Sequence, residues 1–446
     1  MHCTLHLQLN HSIRDRTSQT LLFMSNKQPK PVLTGQRIRT RKRDEKEKYH
    51  PNGFSEILVN GLNDVNVNDL EEVAKYLDGA GSKLDYKRYW ETLFDILLAG
   101  GILAPGGNLL QDDDKKETAI SKFCLFSAEE TTEAIKGVAT VFQRLTRRYR
   151  YLGKKLEDDE MKKILSFLKS FSPSERNKLA MFTGLFLSTG ESPANCLESL
   201  MNETLVKEGI SLEFFKVMFR TWLGEKDMSS IAKVLRKASM DRRLLEVIPS
   251  TKRTEAYFEK YFAEAGLDQL VTFQRNLQHD DNKNVFMTEL KELLEKESPP
   301  TPKELIAICT EMQAKTLLTE PEVANLIWNC IMDIVEWNKR EELITEQALR
   351  HIKPYTPILA GFTSQASTEL SLLYEIQEYC YTNINFMKTF QKIVFLLYRT
   401  DVLSEETILK WNKEFQVGKG KSVFLTHMKQ FVEWLENAEE ESDEDD

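Results

Sequence analysis

The sequence predicts an all-α chain, an α-solenoid of stacked helical hairpins of the HEAT/ARM type. Three observations predict it. Apolar residues recur at three- and four-residue spacing through most of the 446 residues. Helix-opening signatures repeat along the chain. Glycine (19) and proline (13) are scarce for a chain that would need many tight turns. No run of alternating residues demands a sheet. No strict repeat marks the units, so two separate helical bundles are the alternative architecture.

Taken in order, residues 1–50 form a polar region whose basic centre is Arg37, Arg39, Arg41, Lys42 and Arg43. Such a segment cannot bury enough apolar surface to offset its chain entropy, so disorder is predicted. Its first 23 residues hold interrupted apolar residues and make a poor signal peptide. Asn68 with Glu71 predicts a capped helix start, and Ser127 with Glu130 predicts another, running to about Tyr151. Tyr86, Tyr89, Trp90, Leu93, Phe94 and Leu97 form an apolar stripe between them. The glycine-rich stretch Ala99 to Gly107 reads as a helix stop and turn. Met161, Ile164, Leu165 and Leu168 form the next stripe, and Ser172-Pro173 with Glu175 combines cap, first-turn proline and capping box. Phe214, Phe215, Met218, Phe219 and Trp222 form a further stripe. Thr301-Pro302 with Glu304, and Thr319 with Glu322, repeat the capping grammar.

The polar stretch His279 to Lys283 and the run Ser298 to Pro302 bracket the best candidate boundary, with a helix from about Val285 to Lys296 between them. The expected organisation is a basic arm (1–50), an N-terminal helical-repeat domain (51–278), a C-terminal domain (279–438) and a disordered acidic tail (439–446).

Composition narrows the function classes. The net charge of −9 argues against wholesale nucleic-acid binding but allows a local basic patch. The six cysteines are scattered with no CxxC, so no zinc ribbon or redox motif is present. No apolar run is long enough to span a bilayer. No HExxH, GxSxG or phosphate-binding loop occurs, so no catalytic residue, cofactor or metal ligand is assigned. The basic arm suits RNA or an acidic surface, or acts only as a solvated tail. It lacks the aromatic residues that would stack on bases.

The strongest signal is a pair of C-terminal boxes, Leu396 to Trp411 and Phe431 to Asp446. Each joins a tryptophan to clustered carboxylates. Carboxylates attract ammonium groups, and aromatic faces add cation–π contact, so this surface suits a lysine-rich peptide. Trp411 and Trp434 also stand at helical spacing from apolar residues, which leaves an inward-facing role open.

This pattern resembles the paired aromatic/acidic boxes that close the two-tryptophan (W-two) domain of translation initiation factors. The resemblance extends from the basic run at Thr34 through Leu103-Ala104-Pro105-Gly106-Gly107, Ser174 to Met181, Val335-Glu336-Trp337-Asn338-Lys339 and Gly418 to Phe424. It points to the family of basic leucine-zipper and W-two domain proteins, the initiation factor 5 mimics. Residues 1–23 lie outside it. Similarity to this family implies a cytoplasmic, non-catalytic regulator of translation initiation. It implies binding to the lysine-rich segments of the beta subunit of initiation factor 2, and to initiation factor 3, in competition with factor 5. The contact positions carried over are Glu405, Glu406 and Trp411 in the first box, and Glu433, Trp434, Glu439, Glu440 and Glu441 in the second. The zipper of the family name is not visible as sustained heptads, so a monomer is expected. A scaffold or RNA-binding adaptor that uses the basic arm and solenoid surface is the alternative function.

Overall fold

The computed structural model describes residues 49–110, 120–190, 194–338, 340–414 and 421–443. The basic segment from Arg37 to Arg43 lies outside them. Among the described residues there are twenty α-helices and no strand; an isolated antiparallel bridge joins Leu103 and Leu109. The first eleven helices are α1 (Pro51–Asp64), α2 (Leu70–Ala80), α3 (Trp90–Ala99), α4 (Thr132–Arg148), α5 (Arg150–Lys155), α6 (Met161–Ser166), α7 (Pro173–Ser188), α8 (Glu203–Lys207), α9 (Ile210–Glu225), α10 (Met228–Lys237) and α11 (Glu255–Glu264). A long helix, α12 (Asp268–Leu294), follows. The rest are α13 (Pro302–Thr316), α14 (Glu320–Asp333), α15 (Glu341–Ile352), α16 (Thr356–Ala360), α17 (Ala366–Thr382), α18 (Phe390–Tyr398), α19 (Glu405–Lys413) and α20 (Lys421–Asp443).

Three predicted helix starts are present. The Glu175 carboxylate accepts from Ser172 N at 2.7 Å while Ser172 Oγ accepts from Glu175 N at 3.3 Å. Thr301 with Glu304 repeats this at 2.8 and 3.4 Å, and Glu322 accepts from Thr319 N at 3.1 Å. Two other starts move. Asp69, not Asn68, caps α2, accepting from Glu71 N and Glu72 N; a carboxylate answers the positive helix end better than an amide. Glu71 instead pairs with Arg144 of α4. Ser127 closes a turn on Cys124, and Thr131 caps α4, which ends at Arg148 because Tyr149 leaves helical geometry. Gly100, at φ 88°, stops α3 as expected.

The solenoid cores follow from the stripes. One apolar cluster runs from Phe54 to Val271 and a second from Phe286 to Leu435. Helix α12 reaches both. The polar stretch His279 to Lys283, expected at a boundary, lies inside this helix. In the first cluster α7 and α9 pack closely enough that a Cβ on Gly184 would lie 2.6 Å from the carbonyl oxygen of Met218. Gly184→Ala therefore overpacks a backbone contact. It is expected to cost about 1–3 kcal/mol in chemical denaturation.

One charged cluster is buried inside the N-terminal half. A π-turn, Leu156–Glu160, joins α5 to α6 and turns Glu160 fully inward. Lys163 Nζ lies 2.6 Å from Asp95 Oδ1, 3.3 Å from Glu91 and 3.0 Å from Glu160 Oε2. The last contact lacks hydrogen-bond geometry, so both Glu160 oxygens have no donor among the described residues. Burial, with the Asp95 charge beside it, pushes the Glu160 carboxyl from 4.5 up to about 8. The folded chain thus keeps a proton that the unfolded chain releases, and stability falls as pH rises through that window. Glu160→Gln is expected to flatten this slope in denaturation series between pH 5 and 8; an unchanged slope would exclude Glu160 as its source.

Candidate functional site

The two boxes lie on α18, α19 and α20. Helix α18 turns Phe390, Ile393, Val394 and Leu397 inward, which leaves Phe395 and Tyr398 toward the surface. The chain reverses at Asp401 (φ 56°), buries Val402 and Leu403, and restarts at Ser404. Ser404 Oγ accepts from Thr407 N at 3.3 Å, and the Ser404 N–H and hydroxyl both donate to Glu369 of α17 at 2.6 Å. That cap places Glu405 and Glu406 in the first turn of α19, where carboxylates complement the helix dipole. Glu406 is exposed and Glu405 half-buried. Glu405 Oε1 is shielded from solvent without a hydrogen-bond donor among the described residues. Burial and the Glu405 charge push the Tyr398 phenol up.

The two tryptophans part ways. Trp411 is fully buried. Its Nε1–H donates to Gln377 Oε1 at 2.8 Å, and its ring lies 5.6 Å from that of Phe390. A buried indole offers no face to a partner, so the structure places Trp411 in the core rather than among contact positions. Trp434 is 52% exposed. Helix α20 buries Phe424, Met428, Phe431, Val432 and Leu435 along one stripe, and Trp434 and Glu433 stand off it. The Trp434 ring stacks on Phe431 at 5.9 Å and meets Tyr398 edge-on at 6.2 Å. Glu433 lies 3.7 Å from Lys429. Glu439, Glu440 and Glu441 sit on α20, whose backbone stays helical to Asp443. Their side chains lie outside the described residues. The helix therefore enters the expected acidic tail, because Ala438 and the glutamates are strong helix formers.

The boxes meet at Tyr398, which borders Glu405 from the first and Trp434 from the second. Sequence reasoning did not single out Tyr398 or its neighbour Phe395. Both stand in the α18 run just upstream of the first box's carboxylates, and their position on the outer face of α18 is the signal that marks them. Arg399 already lies 5.8 Å from the Phe395 ring centre, so one aromatic face here carries a cation of the chain itself. The arrangement is an open aromatic pair, Tyr398 and Trp434, with the Glu405 carboxylate beside it and the exposed Glu406 on α19 and Glu433 on α20, a combination suited to a flexible cationic segment. Among the described residues no cluster could hold a metal ion, and no helix is long and apolar enough to cross a membrane. Cys124, Cys196, Cys309, Cys330 and Cys380 are buried, and burial pushes their thiols up, away from nucleophilic use.

Comparison with known proteins agrees with the helical fold. The family model described as the 5MP1/2 HEAT domain matches residues 38–284, more than half of the chain. The W2 model, described as eIF4-gamma/eIF5/eIF2-epsilon, matches residues 368–445, from α17 through the second box. The chain is 53% identical over 416 residues to eIF5-mimic protein 1 of Gallus gallus, covering 93% of this chain and 99% of that one. It is 54% identical to human eIF5-mimic protein 1 (94% and 98% covered) and 52% identical to human eIF5-mimic protein 2 (94% and 98%). A HEAT-type solenoid that ends in a W2 domain defines a class of translation initiation factor-related proteins. Within that class, the chain belongs to the eIF5-mimic protein family.

The tryptophans give a direct test. Trp411→Ala is expected to lower stability by about 3–5 kcal/mol, the cost of deleting a large buried aromatic. Trp434→Ala should leave the melting temperature within a degree or two of wild type. A Trp411→Ala variant that melts like wild type would mean the indole is not packed as described.

Proposed function

We propose that this chain restrains translation initiation by standing in for the C-terminal part of initiation factor 5. Its W-two domain, residues 279–438 with the acidic end at 439–446, binds the lysine-rich segments of the beta subunit of initiation factor 2 and also initiation factor 3. Occupied by this chain, those factors are withheld from factor 5, and initiation at poor start codons falls. The protein acts as a cytoplasmic, non-catalytic monomer. Its basic arm, through Arg37, Arg39, Arg41, Lys42 and Arg43, adds salt-sensitive contact with the preinitiation complex or its RNA.

The observation that carries this reading is the meeting of both boxes at Tyr398. An exposed indole, a half-buried carboxylate with an unused oxygen, and the exposed Glu406 and Glu433 share one end of the chain. Relatives that align over nearly their whole length are named for mimicry of eIF5. Single surface ion pairs contribute only about 0–1 kcal/mol, so the contact works as a field of several carboxylates. Trp434 supplies the apolar and cation–π part, and Glu405, Glu406, Glu433, Glu439, Glu440 and Glu441 supply the charge.

The test is a competition assay at physiological salt. Lysine replacement of Glu405, Glu406, Glu439, Glu440 and Glu441 is expected to abolish binding to a lysine-block peptide of the factor 2 beta subunit while the circular dichroism spectrum is unchanged. The same variant should no longer displace factor 5 or suppress a near-cognate start-codon reporter. If it still does both, the decoy mechanism is wrong.

A further inference from the structure

The junction of α4 and α5 carries a charge pattern that the C-terminal function does not use. From Arg144 to Lys155 there are six basic residues and no acidic one, with two tyrosines among them. In a chain of net charge −9 this is a local reversal of sign. Two of the six are answered by α2: Arg144 pairs with Glu71, and Arg148 lies 3.9 Å from Asp78. Lys155 pairs with Asp159 and sits 4.8 Å from the Trp90 ring centre. Arg147, Arg150 and Lys154 are exposed and have no ion-pair partner among the described residues.

Helix electrostatics account for only part of this. A cation in the last turn of a helix is favoured by the dipole, which explains Arg147; Lys154 is not at a helix end, because α5 runs on through the π-turn into α6. Arg150 is the first residue of α5, where the dipole disfavours it. No partner within the described residues offsets that cost, which is what a surface kept for an external anion looks like.

The aromatic residues divide in the same way. Tyr149 turns inward, its hydroxyl donating to Asp78 O at 3.1 Å and its ring 5.4 Å from Tyr86. Tyr151 is 37% exposed, edge-on to Tyr149 at 6.1 Å. The loop that follows α2 lies against this junction through the Tyr86 contact, and it presents the exposed Lys83 and Lys87. The Asp85 carboxylate of that loop also acts on Tyr151, but the exposed cations that precede and follow Tyr151 in the chain outnumber it, and together with the open ring they combine a phosphate-tracking charge with a stacking platform.

We propose that the α4–α5 ridge is a binding surface for single-stranded RNA, with Arg147, Arg150 and Lys154 on phosphates and Tyr151 stacked on a base. An acidic protein segment would use the cations but would gain little from the ring, so RNA is the ligand the pattern favours. The surface is separate from the C-terminal boxes and shares no residue with them.

The test uses the full chain and a fluorescein-labelled 20-nucleotide oligouridine, read by fluorescence anisotropy from 50 to 200 mM KCl. The basic arm is neutralised throughout by changing Arg37, Arg39, Arg41, Lys42 and Arg43 to Gln. This background should still bind. Arg147→Glu with Arg150→Glu should weaken binding at least tenfold, and the log–log salt slope should fall by about 1.4 for two lost single-strand phosphate contacts. Tyr151→Ala should weaken binding several-fold with the salt slope unchanged. Arg147→Gln with Arg150→Gln replaces the reversed pair if that pair fails to give a wild-type circular dichroism melt. Binding that disappears with the arm alone, or that ignores all the ridge changes, overturns the proposal. Displacement by polyglutamate that is equally effective with and without Tyr151 would assign the ridge to an acidic protein partner and overturn it as well. Lysine reversal of the C-terminal carboxylates should not weaken RNA binding, so a failed ridge and a failed decoy mechanism give different results.

Discussion

One 27-residue helix carries both halves of the solenoid, and the rest of the structure is organised around it. Helix α12 gives Leu270 and Val271 to the first apolar cluster and Phe286, Leu290 and Leu294 to the second. At 1.5 Å per residue it is a rod about 40 Å long, so the two cores are joined by a stiff element rather than a tether. Its polar middle is secured residue by residue. Asp281 pairs with Arg242 of the preceding half, and Asn282 Nδ2 donates to Thr316 O at 3.0 Å. His279 and Lys283 reach Glu322, which also accepts from Thr319 as the capping residue of α14. Burial alone would raise the Glu322 carboxyl. The hydrogen bonds from Thr319, His279 and Lys283 outweigh that and hold it at about 2. The carboxylate that starts α14 therefore also ties α14 to the spine.

The C-terminal boxes show how similar composition takes opposite physical roles. Trp411 lies on the inner face of α19, where α17 provides Gln377 for its indole N–H. A large aromatic with its one polar atom satisfied is a good core residue. Trp434 lies on the outer face of α20, where its ring can only stack on Phe431 and lean on Tyr398. The first tryptophan thus holds α19 against α17, and the cap at Ser404 sets Glu406 outward and Glu405, half-buried, beside Tyr398. The second stays open to solvent. This end of the chain therefore combines a core tryptophan from one box with a surface tryptophan from the other.

Charge is sorted by location as well as by amount. The buried group of Lys163, Asp95 and Glu160 holds two carboxylates around one ammonium, which makes it sensitive to protonation. The α4–α5 junction carries exposed cations at Arg147, Arg150 and Lys154, and the C-terminal boxes carry Glu405 beside Tyr398 and the exposed Glu406 and Glu433. A single net charge averages these away.

Much of the fold was legible in the sequence because its signals are local. The capping boxes at Ser172, Thr301 and Thr319 satisfy backbone groups three residues away, and the 3.6-residue stripes need only their own helix. The all-α class, the helix stop at Gly100 and the composition of the two boxes followed from such short-range rules. What the sequence left open was decided by partners far along the chain. Asp69 caps α2 while Glu71 is drawn to Arg144, and the polar stretch at His279 stays helical because Arg242, Thr316 and Glu322 meet its side chains. The choice between the tryptophans has the same origin. Spacing puts both at helical positions, but only Gln377, 34 residues before Trp411, supplies the buried acceptor that lets one indole leave the solvent. Burial of a polar aromatic is a property of its neighbours in space, and only the tertiary structure brings those neighbours together.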